Sequence, residues 1–185
     1  MVYDRRMTSY LKACEYCKDS LPDTARIACR KSELFYIYSG CRKSTTFPRY
    51  GEPDSIYRFF VNQHIDYVIL DSWFRHAYTT IYPCVLKYPD KFKLIKEIDK
   101  GDTTNQINPT YIMYFNDKWG YDGEIVNGKR EGKGVWNMQD GRKYEGNFVN
   151  NLPNGYGEIT DTNGIVVKGI WKDGALIQYQ GSFEH

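Results

Sequence analysis

Residues 121–141 read YDGEIVNGKREGKGVWNMQDG, and residues 144–164 read YEGNFVNNLPNGYGEITDTNG. The second segment repeats the first with a step of 23 residues (121 to 144), and the same step leads on to residue 167. The matching positions are Tyr121, Tyr144 and Val167; Gly123, Gly146 and Gly169; Gly132 and Gly155; Gly134 and Gly157; and Gly141 and Gly164. So many matches in one register indicate a structural unit that is repeated along the chain.

Each repeated unit has the composition of one β-hairpin. Asn127 and Gly128 form a dipeptide that tolerates positive φ and therefore favours a tight turn, and Asp140 and Gly141 form another. Large apolar side chains recur between the turns at the same step. They are Ile125, Phe148 and Trp171 in one column, and Trp136 and Ile159 in another. We expect neighbouring hairpins to stack both columns into a shared core.

The order of these positions resembles the MORN repeat, whose pattern is Tyr-x-Gly, then Asn-Gly, then Gly-x-Gly and Asp-Gly. The first two copies follow the pattern closely, and the third is a half repeat with Val167 where Tyr is usual. The resemblance implies a curved β-sheet that contacts proteins and, in some members, membrane lipids. It also implies that this part of the chain has no catalytic activity of its own.

Strand alternation suggests where such a sheet would make its contacts. We predict that Tyr121, Tyr144 and Tyr156 lie on the face opposite the two apolar columns. A tyrosine combines an apolar ring with a polar hydroxyl, which suits a surface that meets a partner. These three tyrosines are therefore the candidate binding residues of the repeat region.

Residues 1–116 alternate between helical and extended patterns. Met7, Tyr10, Leu11 and Cys14 form the stripe of an amphipathic helix, and residues 66–70 (DYVIL) form a buried strand. Residues 32–39 (SELFYIYS) fit either a helix or a strand. Further helices are predicted from residue 53 and along the stretch that carries Ala77 and Ile81, and further strands at residues 25–29, 42–47, 92–98 and 111–115, the last two as an antiparallel edge.

This order predicts the fold class and the domains. Helices between short apolar strands are typical of an α/β fold, here a small open sheet with helices on both faces. We therefore expect an α/β domain at residues 1–116 and an all-β hairpin extension of the MORN type at residues 117–185.

A second resemblance concerns the α/β domain. Residues 8–40 (TSYLKACEYCKDSLPDTARIACRKSELFYIYSG), 66–73 (DYVILDSW) and 88–95 (YPDKFKLI) together resemble the soluble tail of bacterial membrane glycosyltransferases that use polyprenyl-phosphate sugars. The likeness spans residues 5–115. It implies an extracytoplasmic C-terminal part of such an enzyme. The catalytic carboxylates of that family lie in its membrane part, so no catalytic residue is assigned in this chain.

Two charged residues of the α/β domain are candidate binding residues. Arg30 follows the first predicted strand and Asp71 follows a later one, and ligands of open α/β sheets bind beyond the carboxyl ends of strands. A surface ion pair or two solvated charges is the alternative. Asp71, Ser72 and His76 include the residue types of a hydrolase triad. The Gly-x-Ser-x-Gly elbow is missing around them, so we interpret Ser72 as a helix N-cap.

The cysteines predict neither a metal site nor a cofactor. Cys14 and Cys17 have the spacing of a ligand pair, but a structural zinc site needs four ligands, and Cys29, Cys41 and the three histidines offer no second pair. We interpret them as packed thiols inside a helix, with a metal or a redox pair as the alternatives. The sequence also has no glycine-rich phosphate loop in its first domain.

Charge and hydropathy bound the partners. The chain has 25 Lys and Arg against 23 Asp and Glu, which gives no reason to expect nucleic acid. No apolar run approaches the roughly 18 residues of a membrane span. The leading interpretation is a non-catalytic module that meets a protein partner or a glycan acceptor on the extracytoplasmic side of a bacterial membrane, held there only by a transmembrane region missing from this sequence. The alternative is a freestanding cytoplasmic MORN-type scaffold for proteins, and a small hydrolase ranks third.

Overall fold

A computed structural model describes residues 4–40, 42–73, 75–99 and 108–180. The chain divides into two compact units, Met1–Asp117 and Lys118–His185. Helices and one mixed sheet form the described part of the first unit, and a second sheet, entirely antiparallel, forms that of the second. Both sheets are open.

The first unit alternates helices and strands up to its last two strands. The helices are α1 (Arg5–Ser20), α2 (Ser32–Tyr38), α3 (Pro53–Asn62) and α4 (Arg75–Lys87), and the strands are β1 (Ile27–Cys29), β2 (Ser44–Thr46), β3 (Tyr67–Leu70), β4 (Phe92–Ile98) and β5 (Thr110–Phe115). Asp4 caps α1 by accepting a hydrogen bond from the Arg6 amide at 3.1 Å. Pro53 opens α3, where the missing amide proton costs nothing.

The first sheet has the strand order β2-β1-β3-β5-β4. β1 runs parallel to β2 and β3, whereas β5 runs antiparallel to β3 and β4. Successive residues of a strand point to opposite faces, so β3 contributes Ile69 to one core and Val68 to the other. The Ile69 core contains Tyr10 of α1 and Phe35 of α2, and the Val68 core contains residues of α3 and α4.

The elements agree with most expectations for this unit. The helix over the Tyr10 stripe, the buried strand within residues 66–70 and the antiparallel pair β4–β5 at the sheet edge are confirmed. The ambiguous segment at residues 32–39 is the helix α2, because its Phe35 side chain packs into the core from the helical face. The predicted strand at residues 42–47 is reduced to β2, and Cys41 lies outside the described residues.

The second unit is a meander of hairpins. Its strands are β6 (Gly120–Val126), β7 (Lys129–Asn137), β8 (Lys143–Val149), β9 (Leu152–Thr160), β10 (Val166–Lys172) and β11 (Ala175–Tyr179), and each pairs antiparallel with the next. Asn127 and Gly128 have φ values of 50° and 75°, and Asp173 and Gly174 have 49° and 85°. Two successive residues with positive φ make the tight turns whose twist matches that of the strands.

The strand register turns the 23-residue step of the sequence into rows across the sheet. One row runs Tyr121, Trp136, Tyr144, Ile159 and Val167, and the next runs Gly123, Gly134, Gly146, Gly157 and Gly169. Both rows lie on the same face because their members are two residues apart on each strand. A row of large side chains therefore runs beside a row of glycines.

No helix within the described ranges combines the length and the apolar character needed to cross a bilayer.

Candidate functional site

The two tyrosines of the Tyr-x-Gly motif lie flat on the glycine row. The Tyr144 ring covers Gly146 and Gly157, so that a Cβ at Gly146 would come within 2.7 Å of the Tyr144 hydroxyl. Tyr121 covers Gly123 and Gly134 in the same way. The Tyr144 hydroxyl donates to the Asn147 carbonyl at 3.3 Å, as a hydroxyl must find an acceptor when its ring is buried. The glycines thus leave, on this face, the space that the two tyrosine rings occupy.

Further aromatic rings complete this face. Phe148 lies 4.9 Å from the Tyr121 ring and 5.1 Å from the Tyr144 ring, both edge to face. Trp171 lies 5.2 Å from Tyr144, and its indole N–H donates to the Gly157 carbonyl at 3.1 Å. Edge-to-face contacts of this kind stabilise the fold by more than the burial of the rings alone would. Tyr144, Phe148 and Trp171 therefore form the centre of the core of the second unit.

The prediction that Tyr144 lies on an exposed face is wrong. Its exposed fraction is 0%, and burial raises its pKa to about 12. The physical reason is the period of a strand: Tyr144 and Phe148 are four residues apart on β8, an even separation, so they point to the same face. Tyr121 shares that face, is half-buried, and has a pKa raised by burial.

The apolar columns are confirmed except at one position. Phe148 and Trp171 are buried, and Trp136 and Ile159 pack against them. Ile125 is instead 56% exposed. β6 is the outer strand of the sheet, so Ile125 has a neighbouring strand on one side only, whereas Phe148 lies on the inner strand β8.

The opposite face carries a groove of about 440 Å³ that crosses β7, β8 and β9. Backbone of the glycine row forms its floor, and two rows of side chains form its walls. The lining residues are Lys133, Val135, Glu145, Asn147, Tyr156 and Glu158, together with Gly134 and Gly146. Of the three predicted binding tyrosines, only Tyr156 lies here, with 49% of its surface exposed. Its place beside Gly157, one residue along β9, turns it away from the aromatic face.

The acidic side chains of the groove walls form ion pairs with neighbouring lysines. Lys143 donates to Glu145 at 2.8 Å, which lowers the pKa of Glu145, and Lys168 pairs with Glu158 at 2.9 Å, which raises the pKa of Lys168. The Asn147 side-chain amide donates to the Tyr156 carbonyl at 2.9 Å. Such bonds fix the orientations of the side chains that form the walls. They contribute little to stability because they are exposed to solvent.

The two candidate binding residues of the first unit have different neighbours. Arg30 donates to the Phe47 carbonyl at 3.2 Å and lies over the Phe47 ring at 5.9 Å. Asp71 is fully buried, and its carboxylate accepts from the Trp73 amide at 3.0 Å. They follow the parallel neighbours β1 and β3, so they lie at the same edge of the sheet. Their role in binding stays a prediction.

The structure changes the interpretation of Ser72. Helix α4 begins at Arg75, so Ser72 is not at the N-cap position. The carboxylate of Asp71, and not the hydroxyl of Ser72, is seen to accept a backbone amide of this turn, from Trp73. A short acidic side chain serves a turn equally well because it reaches the amide two residues on. His76 lies in the first turn of α4 beside Arg49.

The cysteines are packed thiols. Cys14, Cys17, Cys29 and Cys84 are free and buried. Burial raises the pKa of all four, to about 12 for Cys17, Cys29 and Cys84. A thiol with a raised pKa is a poor nucleophile and a poor metal ligand. Across the part of the chain that the structure describes, no group of three or more His, Cys, Asp or Glu side chains is arranged to hold a metal ion.

Comparison with known proteins places the hairpins in a class. The pattern of the MORN repeat family matches residues 121–141 and 144–166. Alsin of Rattus norvegicus, of Mus musculus and of Homo sapiens is each 41% identical to this chain over 61 residues, which is 30% of the chain and 4% of Alsin. The chain thus spans a very small part of these curated relatives.

Residues 121–166 are therefore MORN repeats. Repeats of this class suggest a protein-interaction module, and they commonly contact either proteins or membrane lipids. The family match covers neither residues 5–115 nor any glycosyltransferase feature, so the resemblance of that segment to a glycosyltransferase tail stays a prediction.

Proposed function

We propose that the repeat unit is a protein-binding module and that its binding face is the groove across β7, β8 and β9. The observation that carries this proposal is the difference in burial between the two faces of the sheet. The aromatic face is not available to a partner, because Tyr144 and Phe148 are buried there in the core of the repeat unit. The other face holds an open groove of about 440 Å³ with Tyr156 exposed in its wall.

The charges of the groove favour a protein over a lipid surface. The lining has one basic residue, Lys133, and two acidic residues, Glu145 and Glu158. Anionic lipid headgroups are attracted by clusters of basic residues, and here the two glutamates, paired with Lys143 and Lys168, offset two of the three lysines. A peptide segment that lays an apolar side chain on the Tyr156 ring and brings polar or charged groups to the paired Lys and Glu side chains of the walls would fit. Tyrosines in such positions contribute strongly to binding.

The proposal is tested with peptides selected against the full chain. A phage library of random peptides is enriched on the immobilised protein, and the affinities of the selected peptides are measured by fluorescence anisotropy. We expect Tyr156→Ala to weaken their binding about tenfold, the loss typical of one tyrosine anchor. Tyr179→Ala is the matched control, because Tyr179 is similarly exposed, at 42%, on β11 of the same sheet.

Two outcomes would refute this assignment of the face. Peptides that bind wild-type and Tyr156→Ala protein equally well would show that the groove is not their site. Binding of the chain to phosphatidylserine vesicles, lost in Lys133→Ala, would show that the groove meets lipid.

A further inference from the structure

A second cleft lies in the first unit, and an arginine and a histidine meet beside it. It measures about 620 Å³ and is lined by Tyr50, Gly51 and Glu52 from the segment before α3 and by His76, Thr79 and Thr80 from α4. Arg49 adjoins it, since its guanidinium lies 3.3 Å from His76 Nε2. The cleft shares no residue with the groove of the repeat unit.

The guanidinium of Arg49 is held in place by rings and not by a carboxylate. It lies over the Tyr50 ring at 5.6 Å from the centroid, and Tyr50 in turn meets the His76 ring edge to face at 5.1 Å. None of the ion pairs between described residues includes Arg49. A guanidinium has five donors, and His76 uses only one of them. The remaining donors are therefore available to a ligand.

The contact between Arg49 and His76 is one that an anion can replace. Arginine only donates, so His76 Nε2 accepts in the present arrangement. An imidazole can carry its proton on either nitrogen. With the proton on Nε2, His76 and Arg49 become two donors that converge on one point, which suits an oxygen of a tetrahedral anion.

The backbone around the cleft supports the same ligand. Thr80 donates its hydroxyl proton to the Arg49 carbonyl at 2.8 Å and so ties the Arg49 segment to α4. Both α3 and α4 begin beside the cleft, with Glu52 as the N-cap residue of α3 and His76 in the first turn of α4. The start of a helix carries partial positive charge. Glu52 is the one acidic residue among the described residues of the lining, and it opposes an anion.

We propose that this cleft binds a phosphate monoester, with the phosphate held by Arg49 and His76 and the attached ring system of the ligand resting on Tyr50. Tyr50 is 68% exposed and presents its ring to the cleft, and the cleft is far larger than a bare phosphate needs. A small soluble monoester and the headgroup of phosphatidic acid carry the same group.

Phenyl phosphate is the probe, titrated into the full chain labelled on its histidines at constant ionic strength. We expect the ring signals of His76 to shift with saturation while those of His64, a histidine of the same unit away from the cleft, stay in place. Arg49→Gln should weaken the interaction at least about tenfold, as expected for the loss of a charge-assisted donor. Glu52→Gln should tighten it by about twofold or more. Arg26→Gln is the matched control, because Arg26 is an exposed arginine bonded to the Gln63 carbonyl.

Vesicles that contain phosphatidic acid form a second arm. A His76 shift with vesicles alone, abolished by Arg49→Gln, would assign the lipid as the source of the same group. The proposal is overturned if His64 and His76 shift alike, if Arg49→Gln and wild-type protein respond equally, or if sulfate shifts His76 as strongly as phenyl phosphate.

Discussion

Gly157 of β9 pairs with Gly146 of β8, and the Tyr144 ring covers both. At the scale of single residues, these glycines are required by their missing side chains, since a Cβ at Gly157 would collide with the Tyr144 hydroxyl. Gly128, by contrast, has open space around it and φ of 75°, so it is required by its backbone angle. Glycines of the MORN repeats thus serve two different physical purposes.

We expect Gly157→Ala to destabilise the repeat unit by about 1–3 kcal/mol, the usual penalty for forcing an extra group into a packed core. The added methyl group must displace the Tyr144 ring, which is enclosed by Phe148 and Trp171. Urea unfolding followed by tryptophan fluorescence measures the change in the free energy of unfolding.

A double-mutant cycle gives the control. In the Tyr144→Ala background the space above Gly157 is empty, so the same Gly157→Ala change should cost much less. Equal costs in the two backgrounds would show that the Tyr144 ring is not the reason for the glycine.

At the scale of elements, each hairpin is bonded to the preceding one through its turn. The turn between β8 and β9 contains Asn150 and Asn151, with φ values of 50° and 73°. The Asn151 amide donates to the Arg130 carbonyl at 3.1 Å, and its side-chain oxygen accepts from the Arg130 amide at 2.9 Å. Asn150 donates its amide proton to the Glu131 carboxylate at 2.9 Å. This turn therefore occupies the position in the second repeat that Asn127 and Gly128 occupy in the first, and it is also hydrogen-bonded to β7.

These bonds decide the effect of Asn151→Gly. Turn preference alone favours glycine at a residue with positive φ. We expect destabilisation instead, by about 0.5–1.5 kcal/mol, because the bond from the Arg130 amide is lost. The free energy of unfolding in urea is the measurement. Asn151→Asp keeps an accepting oxygen and should retain most of the stability. A more stable Asn151→Gly protein would mean that backbone preference outweighs the bond between hairpins.

The third repeat shows how the pattern ends. Gly169 of β10 pairs with Tyr179 of β11, where the two preceding hairpins pair glycine with glycine. A tyrosine at position 167 would have no double glycine floor on which to lie. Val167 replaces it, and this departure from the repeat is explained by the strand that follows.

At the scale of the whole molecule, the described thiols of the first unit lie in its core. Cys14, Cys17, Cys29 and Cys84 are all fully buried, and burial raises the pKa of each thiol. Tyr10 packs among the first three, and its hydroxyl donates to the Lys31 carbonyl at 2.9 Å. Reactive chemistry at these thiols would require the core to open.

We therefore expect the thiols of the native protein to resist modification. In a Cys41→Ser variant, the other four thiols should react with iodoacetamide at least about a hundredfold more slowly in buffer than in concentrated urea, because each must be exposed and ionised first. Mass spectrometry counts the labelled sites over time. Rapid native labelling of Cys14 or Cys17 would contradict their place in the core and restore a redox interpretation.

The sequence by itself determined the features that depend on local chemistry. The 23-residue step, the turn residues Asn127 and Gly128, and the alternation of strands and helices before residue 116 are readable because positive φ and hydrophobic period are properties of short segments. The helix over Tyr10 and the buried strand β3 were predicted for this reason.

Only the tertiary structure decided which side chains are available to a partner. Strand alternation places Tyr144 and Tyr156 on opposite faces of the sheet, but only the packing of the hairpins shows that the face of Tyr144 is buried and that of Tyr156 is exposed. Ile125 lies outside the core because its strand, β6, is the outer one of the sheet. Arg49 and His76 are 27 residues apart, and they meet because the segment before α3 packs beside α4. Contacts of this kind depend on how distant segments are placed together, and no period within either segment specifies that placement.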